Sequence, residues 1–321
     1  LSWLKDVGYK LRSSIIKTLD KCLPEKESSV IAGMLIGYTA NMPEELEEDF
    51  RRAGLSHIMA VSGANIAFLL APLLWLLKKF GFSPRWSSAI AFPAMIFYVF
   101  ATGMEASVVR AAIMAGVILA GMLLWRKSDI YCSIAFSAII MLLNNSFVLY
   151  DMGFVLSYSA TLSLIIFYKP LFERLPAKIP KLIRDILAGT IAAQIGVMPI
   201  IAYCFNTFSV ISVLSNLLTA PLTGVLTVLG ALVAILGSIC FPVGQAIGVL
   251  ARIVADIILF VTGWVAGIPW AEISIATPSF VLVIIYYFLI LYFRFCHPRI
   301  DRKTSRPFAA AILAVCGVMM V

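Results

Sequence analysis

Long apolar runs alternate with short polar connections from about residue 58 onward. Each run approaches the roughly 20 residues that an α-helix needs to cross a hydrocarbon core. The pattern predicts membrane-spanning helices near 58–77, 87–103, 106–125, 130–150, 153–168, 186–204, 222–241, 244–268 and 279–295, with a truncated one from 307. The chain is therefore predicted to be an all-α polytopic membrane protein of about ten spans, which occupy residues 58–321.

One segment between the predicted spans has a different pattern. Residues 207–221 read TFSVISVLSNLLTAP, which is only partly apolar and ends at Pro221. Irregular backbone at membrane depth is tolerated only where protein or water covers it. The segment predicts a re-entrant or broken helix of the kind that binds solutes in transporters.

The residues before the first span predict amphipathic and exposed helices. Residues 1–29 place apolar side chains at helical spacing with basic ones between them, which predicts an amphipathic helix on the membrane surface. Within residues 30–57, the run SSVIAGMLIGY is too short to cross alone. The following NMPEELEEDFRRAG carries acids before arginines, as the helix dipole favours, and Gly54 is placed to end that helix.

Composition and charge support the membrane assignment and predict an orientation. Charged residues make up 13% of the chain and its mean hydropathy is +0.98, whereas soluble domains are about 25% charged. Lysines and arginines concentrate in the connections 78–86, 126–129, 169–185 and 294–306. The connections 104–105, 151–152 and 269–278 contain neither residue. The positive-inside rule therefore places the basic loops in the cytoplasm and residues 1–57 on the outer side.

Signatures of catalysis and metal binding are weak. The six cysteines form no CxxC pair and the chain has two histidines, a pattern that favours neither a disulfide framework nor a zinc site. No Walker A or HExxH motif occurs, and Ser62 lies in AVSGA, without the glycines of a nucleophile elbow. We expect no enzymatic activity, no cofactor and no metal.

Arg110 is the most informative single residue. It lies a few residues into a predicted span, and a central arginine costs about 2.5–3.5 kcal/mol even on insertion scales. Glu105 and Asp151, at two outer turns, are candidate counter-charges. Two interpretations are open, namely a structural ion pair that holds helices together and a group that lines a polar path.

Further polar residues within the spans extend the candidate site. Hydroxyl groups can bond back to their own helix, whereas carboxamides have more groups to satisfy. Gly54 and Gly63 would allow close approach of backbones. The candidates for a path are Ser62, Asn65, Arg110, Ser157, Ser159, Gln194, Asn206 and Asn216, and those for its outer mouth are His57, Glu105 and Asp151. Arg252 and Asp256, four residues apart, are expected to pair locally.

Five ordered segments resemble a known family. They are GLSHIMAVSGANI, TGMEASVVRAAIM, LYDMGFVLSYSATL, AQIGVMPIIAYCFNTFSVISVLSNLLTAPL and IPWAEI. Together, from about residue 30 to 295, they resemble the membrane domain of the ComEC competence-protein family. Met152, Val155 and the pair Ala64-Asn65 depart from the residues usual in that family.

The resemblance implies an inner-membrane channel that passes single-stranded DNA into the cytoplasm during natural transformation. Its implied partners are single-stranded DNA, the lipid bilayer and other competence proteins. We expect the chain to be a piece of a longer protein whose OB-like and metallo-β-lactamase-like domains lie outside it. The alternative is a secondary transporter of a small anionic solute, with Arg110 and segment 207–221 at the binding site. The sequence specifies no oligomeric state.

Overall fold

The computed structural model describes residues 2–126, 129–209 and 211–296 and is almost entirely helical there. Its α-helices are α1 (Ser2–Cys22), α2 (Glu25–Ile36), α3 (Glu44–Arg52), α4 (Ser56–Met59), α5 (Gly63–Lys79), α6 (Pro84–Ala101), α7 (Ala106–Leu123), α8 (Ile130–Asn144), α9 (Met152–Arg174), α10 (Lys181–Phe205), α11 (Ser212–Ile239), α12 (Phe241–Ala266) and α13 (Phe280–Cys296). A 3-10 helix covers Ser146–Tyr150, and the strands β1 (Thr207–Ser209) and β2 (Glu272–Ser274) pair with each other.

The predicted spans are largely found as helices. Helices α5 to α13 occupy the nine predicted positions, and the predicted span from 307 lies outside the described residues. By length and composition, α7, α9, α10, α11 and α12 could each cross a membrane. Helix α8 and the stretch Phe280–Tyr292 are apolar but shorter. The all-α membrane class is therefore confirmed, while the number of about ten spans stays a prediction.

The prediction of a broken helix in segment 207–221 is wrong, whereas a re-entrant course of this segment stays a prediction. Its first residues form β1, which pairs antiparallel with β2 so that Thr207 lies opposite Ser274. The rest belongs to α11, which continues through Pro221 to Ile239. A proline removes one backbone hydrogen bond and bends a helix, and the long apolar sequence on both sides of Pro221 keeps the segment helical.

The chain divides into two compact units. The first comprises Leu1–Ser157 and Ser215–Ala266, and the second comprises Tyr158–Leu214 and Gly267–Val321. In the first unit, α5, α6 and α7 bury a core that includes Ile66, Ala91 and Val108. In the second, α13 packs on α9 and α10 through Val283, Tyr286, Ile290, Phe167 and Ile195. Each unit therefore has its own hydrophobic core.

Helices α2 and α3 of the first unit end in similar ways. Residues Glu27 to Ile36 of α2 are buried, and the helix ends at Gly37, whose φ is 66°. The predicted acidic helix is confirmed as α3, which Phe50 anchors with only 1% of its surface exposed. After α3, Gly54 adopts a φ of 72°, and the Leu55 amide donates to the Phe50 carbonyl. This is the glycine-based helix end that the sequence predicts at Gly54.

Small residues bring α1, α11 and α12 into close contact. A Cβ atom on Gly244 would collide with the backbone of Gly237, which lies on the preceding helix. A Cβ atom on Gly248 would lie 3.0 Å from the carbonyl oxygen of Cys22, at the end of α1. Any larger side chain at these positions would push the three helices apart, which explains the glycines.

In the second unit, α13 compensates for a proline in α10. Pro199 has no N–H, so the helix offers no partner to the carbonyl four residues earlier, at Ile195. The hydroxyl of Tyr286 donates to that carbonyl over 3.1 Å. The neighbouring Tyr287 donates to the carbonyl of Gly196 over 2.6 Å. The carbonyl that Pro199 leaves without a helical donor is thereby satisfied by a side chain from another helix.

The same helix compensates for a proline in α9. Pro170 leaves the carbonyl of Ile166 without its helical donor. The Nε atom of Arg294 donates to that carbonyl over 3.2 Å. On both α9 and α10, the carbonyl freed by a proline therefore accepts a hydrogen bond from a polar side chain of α13.

Candidate functional site

The polar residues after Val61 lie at the buried end of α2. Asn65, itself buried, donates from Nδ2 to the carbonyl of Met34 over 2.6 Å. The hydroxyl of Tyr98 donates to the carbonyl of Leu35 over 2.7 Å. Ser62 donates more weakly to Asn65 Oδ1, over 3.4 Å. Asn65 and Tyr98 thereby satisfy carbonyls that the last turn of α2 leaves open.

Between α4 and α5 the chain is extended, and this break lies against α7. The hydroxyl of Ser107 donates to the carbonyl of Val61 over 2.6 Å. Helix α5 then begins at Gly63, where a Cβ atom would lie 2.8 Å from the Cβ of Ala111 and 3.1 Å from Nη2 of Arg110. Gly63 therefore permits a close approach of α5 to α7, with a guanidinium beside the positive end of α5.

Arg110 joins α7 to the start of α9. Its side chain is 8% exposed, and Nη1 donates to the carbonyl of Ser157 over 2.8 Å. The two candidate counter-charges lie at helix starts, because Glu105 immediately precedes α7 and Asp151 accepts a hydrogen bond from the Phe154 amide at the beginning of α9. An ion pair between Arg110 and either carboxylate stays a prediction.

His57 links α4 to α11. Its ring forms hydrogen bonds with the backbone of Gly54 and the side chain of Asn216, and it retains an exposed edge. The atoms packed around the ring desolvate it and so lower the pKa of His57, an effect larger than the opposite influence of the two hydrogen bonds. The lowered pKa favours the neutral imidazole, which acts as a hydrogen-bonding group.

The second unit contains its own polar cluster, at the connection between α10 and α11. Gln194 donates from Nε2 to the hydroxyl of Ser212, which in turn donates to the carbonyl of Ser209. Asn206 ends α10 with a φ of 56°, and its Oδ1 accepts from the hydroxyl of Thr277 over 2.9 Å. Both carboxamides hold the short β1–β2 pair against the end of α10.

Ser159 lies where α9 and α10 approach each other. Its hydroxyl bonds to that of Tyr287. A Cβ atom on Gly196 would lie 2.6 Å from the Ser159 carbonyl oxygen. The serine therefore belongs to the contact in which α13 also takes part.

The structure thus groups the candidates into pairs. Ser62 lies with Asn65, Arg110 with Ser157 beside Gly63, and His57 with Asn216, all in the first unit. The candidates of the second unit are Ser159, Gln194 and Asn206. Among the residues that the structure describes, no group of three or more His, Cys, Asp or Glu is placed to hold a metal ion. The polar groups at these positions are hydroxyls, carboxamides, an imidazole and a guanidinium.

Sequence reasoning missed the partners of these residues. Tyr98, Ser107, Ser212, Thr277 and Tyr286 each supply a partner in the hydrogen bonds of these two units. Each is an aromatic or hydroxyl residue in an apolar or mixed stretch, where packing is the usual role. The only signals that could have found Tyr286 and Arg294 were the prolines of α9 and α10, whose freed carbonyls require outside donors.

Comparison with known proteins assigns the chain to a family. Residues 34–299 match the family described as Competence protein. The chain is 32% identical over 212 residues to ComE operon protein 3 of Bacillus subtilis (strain 168), a match that covers 66% of this chain and 26% of that protein. It is 29% identical over 238 residues to the uncharacterized protein YcaI of Escherichia coli (strain K12), covering 68% of this chain and 30% of that protein.

The chain therefore spans less than a third of the length of these two relatives. No solved structure matches it. Because the family match covers most of the sequence and the described residues contain several long apolar helices, the chain is a multi-pass membrane protein that belongs to the Competence protein family.

Proposed function

We propose that this domain forms a channel in the cytoplasmic membrane through which single-stranded DNA enters the cytoplasm during natural transformation. Membership of the Competence protein family and the similarity to ComE operon protein 3 support a role in competence. On this proposal the domain catalyses no reaction and needs no cofactor. Its partners are single-stranded DNA, the bilayer and other competence proteins.

The observation that carries the proposal is the setting of Arg110. Its guanidinium is buried within an apolar helix, beside the glycine at which α5 begins. A cation in such a place is costly unless polar groups or water surround it, and intramembrane charges are usually functional. A route for a nucleic-acid strand requires cationic and hydrogen-bonding groups that accept any base sequence. Arg110, Ser62 and His57 would supply such groups near one break in the backbone.

The orientation follows from the distribution of basic residues. The loops rich in Lys and Arg would face the cytoplasm, and residues 1–57 would lie on the outer side. The break before α5 would then lie towards the outer side, where a strand arrives. The exposed Ser56 and His57 would form its rim.

The transporter alternative has lost its main support. It relied on a helix broken near Pro221, with a binding site formed by the broken ends. Helix α11 instead runs without interruption from Ser212 to Ile239. We therefore retain the DNA channel as the single proposal.

The test is delivery of labelled DNA to the cytoplasm of transformable cells that lack their own copy of the protein. The cells would express the full-length protein that contains this domain, either unchanged or as Arg110→Leu. DNA bound at the cell surface would be scored separately, and the amount of folded protein in the membrane would be matched. We expect Arg110→Leu to reduce cytoplasmic delivery at least tenfold while surface binding persists.

A matched control is Lys178→Leu, which removes an exposed cation from a basic connection. We expect it to leave delivery unchanged, since surface charges tolerate substitution. Unchanged delivery by Arg110→Leu would exclude this arginine from the path. Failure of the unchanged protein to deliver DNA, with a small anionic solute transported instead, would overturn the channel proposal.

A further inference from the structure

Helix α1 meets the C-terminal end of α6. A Cβ atom on Gly8 would lie 2.7 Å from the carbonyl oxygen of Phe100, and Arg12 lies against Gly103. Ile16, further along α1, packs in one cluster with Tyr98. As α1 advances from Gly8 to Arg12, its contacts pass from Phe100 in the last turn of α6 to Gly103 just beyond that helix. Helix α1 has therefore reached the end of α6 at Arg12.

The far end of α1 meets the turn that joins α11 to α12. The hydroxyls of Thr18 and Ser238 lie 3.1 Å apart. Cys22 packs against Gly237 and Gly248, on either side of that turn. Since α1 has reached the end of α6 at Arg12, the turn that meets residues 18 to 22 of α1 lies on that side as well. A hairpin that crossed the membrane from the side of the contact between Asn216 and His57 would place this turn at the opposite face.

Exposed charged residues on α1 and α12 indicate the same position for this turn. On α1, the exposed residues include Lys10, Lys17, Asp20 and Lys21. On α12, Arg252 and Asp256 form the ion pair predicted from their spacing, with a separation of 3.7 Å, and Glu27 of α2 lies 3.5 Å from Arg252. The side chains of Arg252 and Asp256 are 55% and 50% exposed, although they lie near the middle of an apolar helix. Half-exposed charges at the centre of a bilayer cost several kcal/mol, whereas the headgroup region accepts them.

Helix α12 has a buried side, an exposed apolar face and a charged flank, as interfacial helices do. Gly248, Ala251 and Ala255 are buried against protein. Another face exposes Ile253, Phe260 and Trp264, and the charged flank of Arg252 and Asp256 borders it. An apolar face beside a charged flank suits a helix that lies in the plane of the membrane surface.

We propose that the hairpin of α11 and α12 lies in the membrane interface on the side of residues 102–105, with its apolar face towards lipid tails and its charged flank at the headgroups. The partner of this surface is one leaflet of the bilayer. The hairpin begins and ends on one side whether or not it crosses, so the predicted orientation of the other helices is unchanged. This position of the hairpin does not depend on whether the protein transports DNA.

The turn carries a native probe, because Cys240 is exposed. The full-length protein would be prepared with Cys240 as its single cysteine and treated with a membrane-impermeant maleimide, in intact cells and after permeabilisation. In the same background without Cys240, Tyr150→Cys would report the side of residues 102–105. Phe82→Cys would report the opposite side.

We expect Cys240 to be labelled from the same side as Tyr150→Cys. Labelling from the side of Phe82→Cys would overturn the proposal, because the hairpin would then cross. If Cys240 reacts only in detergent, Gln245→Cys, on the charged flank, decides the outcome. Labelling of Gln245→Cys from the Tyr150 side supports the interfacial position, and its protection from both sides overturns it.

Discussion

The hydrogen bond between Tyr286 and Ile195 gives a quantitative test of how α13 holds the second unit together. Replacing Tyr286 by Phe removes only the hydroxyl that donates to the Ile195 carbonyl over 3.1 Å. That carbonyl has no helical donor because position 199 is a proline. An unsatisfied buried acceptor costs about 1–3 kcal/mol, and single hydrogen bonds in membrane proteins average about 0.6 kcal/mol, with a maximum near 1.7. We therefore expect Tyr286→Phe to lower the free energy of unfolding by about 1 kcal/mol.

A double-mutant cycle isolates the cause. Pro199→Ala restores an N–H that can donate to Ile195, so the tyrosine hydroxyl loses its specific role. In the Pro199→Ala background, Tyr286→Phe should cost close to zero, which gives a coupling energy of about 1 kcal/mol. Tyr287→Phe is the matched control, because its acceptor, Gly196, has a helical donor at residue 200 in either background.

The measurement is reversible unfolding in mixed micelles of mild and denaturing detergent, followed by far-UV circular dichroism. All four members of each cycle would be compared under identical conditions. An equal cost for Tyr286→Phe in both backgrounds would refute the reasoning, since the hydroxyl would not then replace the donor that Pro199 lacks.

Three further predictions test residues of the first unit, and the last of them takes its control, Gly189, from the second unit. Asn65→Leu should lower the free energy of unfolding by about 1–3 kcal/mol, because it removes the donor to the buried carbonyl of Met34; a variant as stable as the original in the same unfolding assay would contradict this. The pKa of His57 is lowered in the folded protein, so the unfolded chain binds the proton first and stability should fall as the pH drops below about 6.5. Unfolding midpoints at pH 7.5 and 5.5 should therefore differ less in His57→Gln, and an equal difference would count against the prediction. Gly244→Ala should destabilise the protein because a Cβ atom there meets the preceding helix. Gly189→Ala, where a Cβ atom would have nothing within 4 Å, should be neutral or stabilising by up to about 1 kcal/mol. The thermal unfolding midpoints of the two variants would be compared, and a lower midpoint for Gly189→Ala than for Gly244→Ala would contradict the prediction.

The sequence by itself determined the features that depend on neighbouring residues. Apolar runs of about 20 residues have few stable states other than a helix in or on a membrane, and α5 to α13 follow those runs. The end of α3 at Gly54 was also predictable, since a left-handed residue after a helix strongly favours glycine. The ion pair of Arg252 and Asp256 required only their spacing on one helix. Family membership likewise followed from ordered local motifs.

Only the tertiary structure decided which polar groups satisfy one another. Tyr98 reaches Leu35 from 63 residues away, and Tyr286 reaches Ile195 across 91 residues. Hydropathy and periodicity describe the environment of a residue but do not name its partner. The course of the chain at Pro221 was undecidable for the same reason, because a proline ends or merely bends a helix according to what packs around it. The position of α1 at the end of α6 depends on contacts that no local pattern encodes, since they form only when distant segments of the chain pack together.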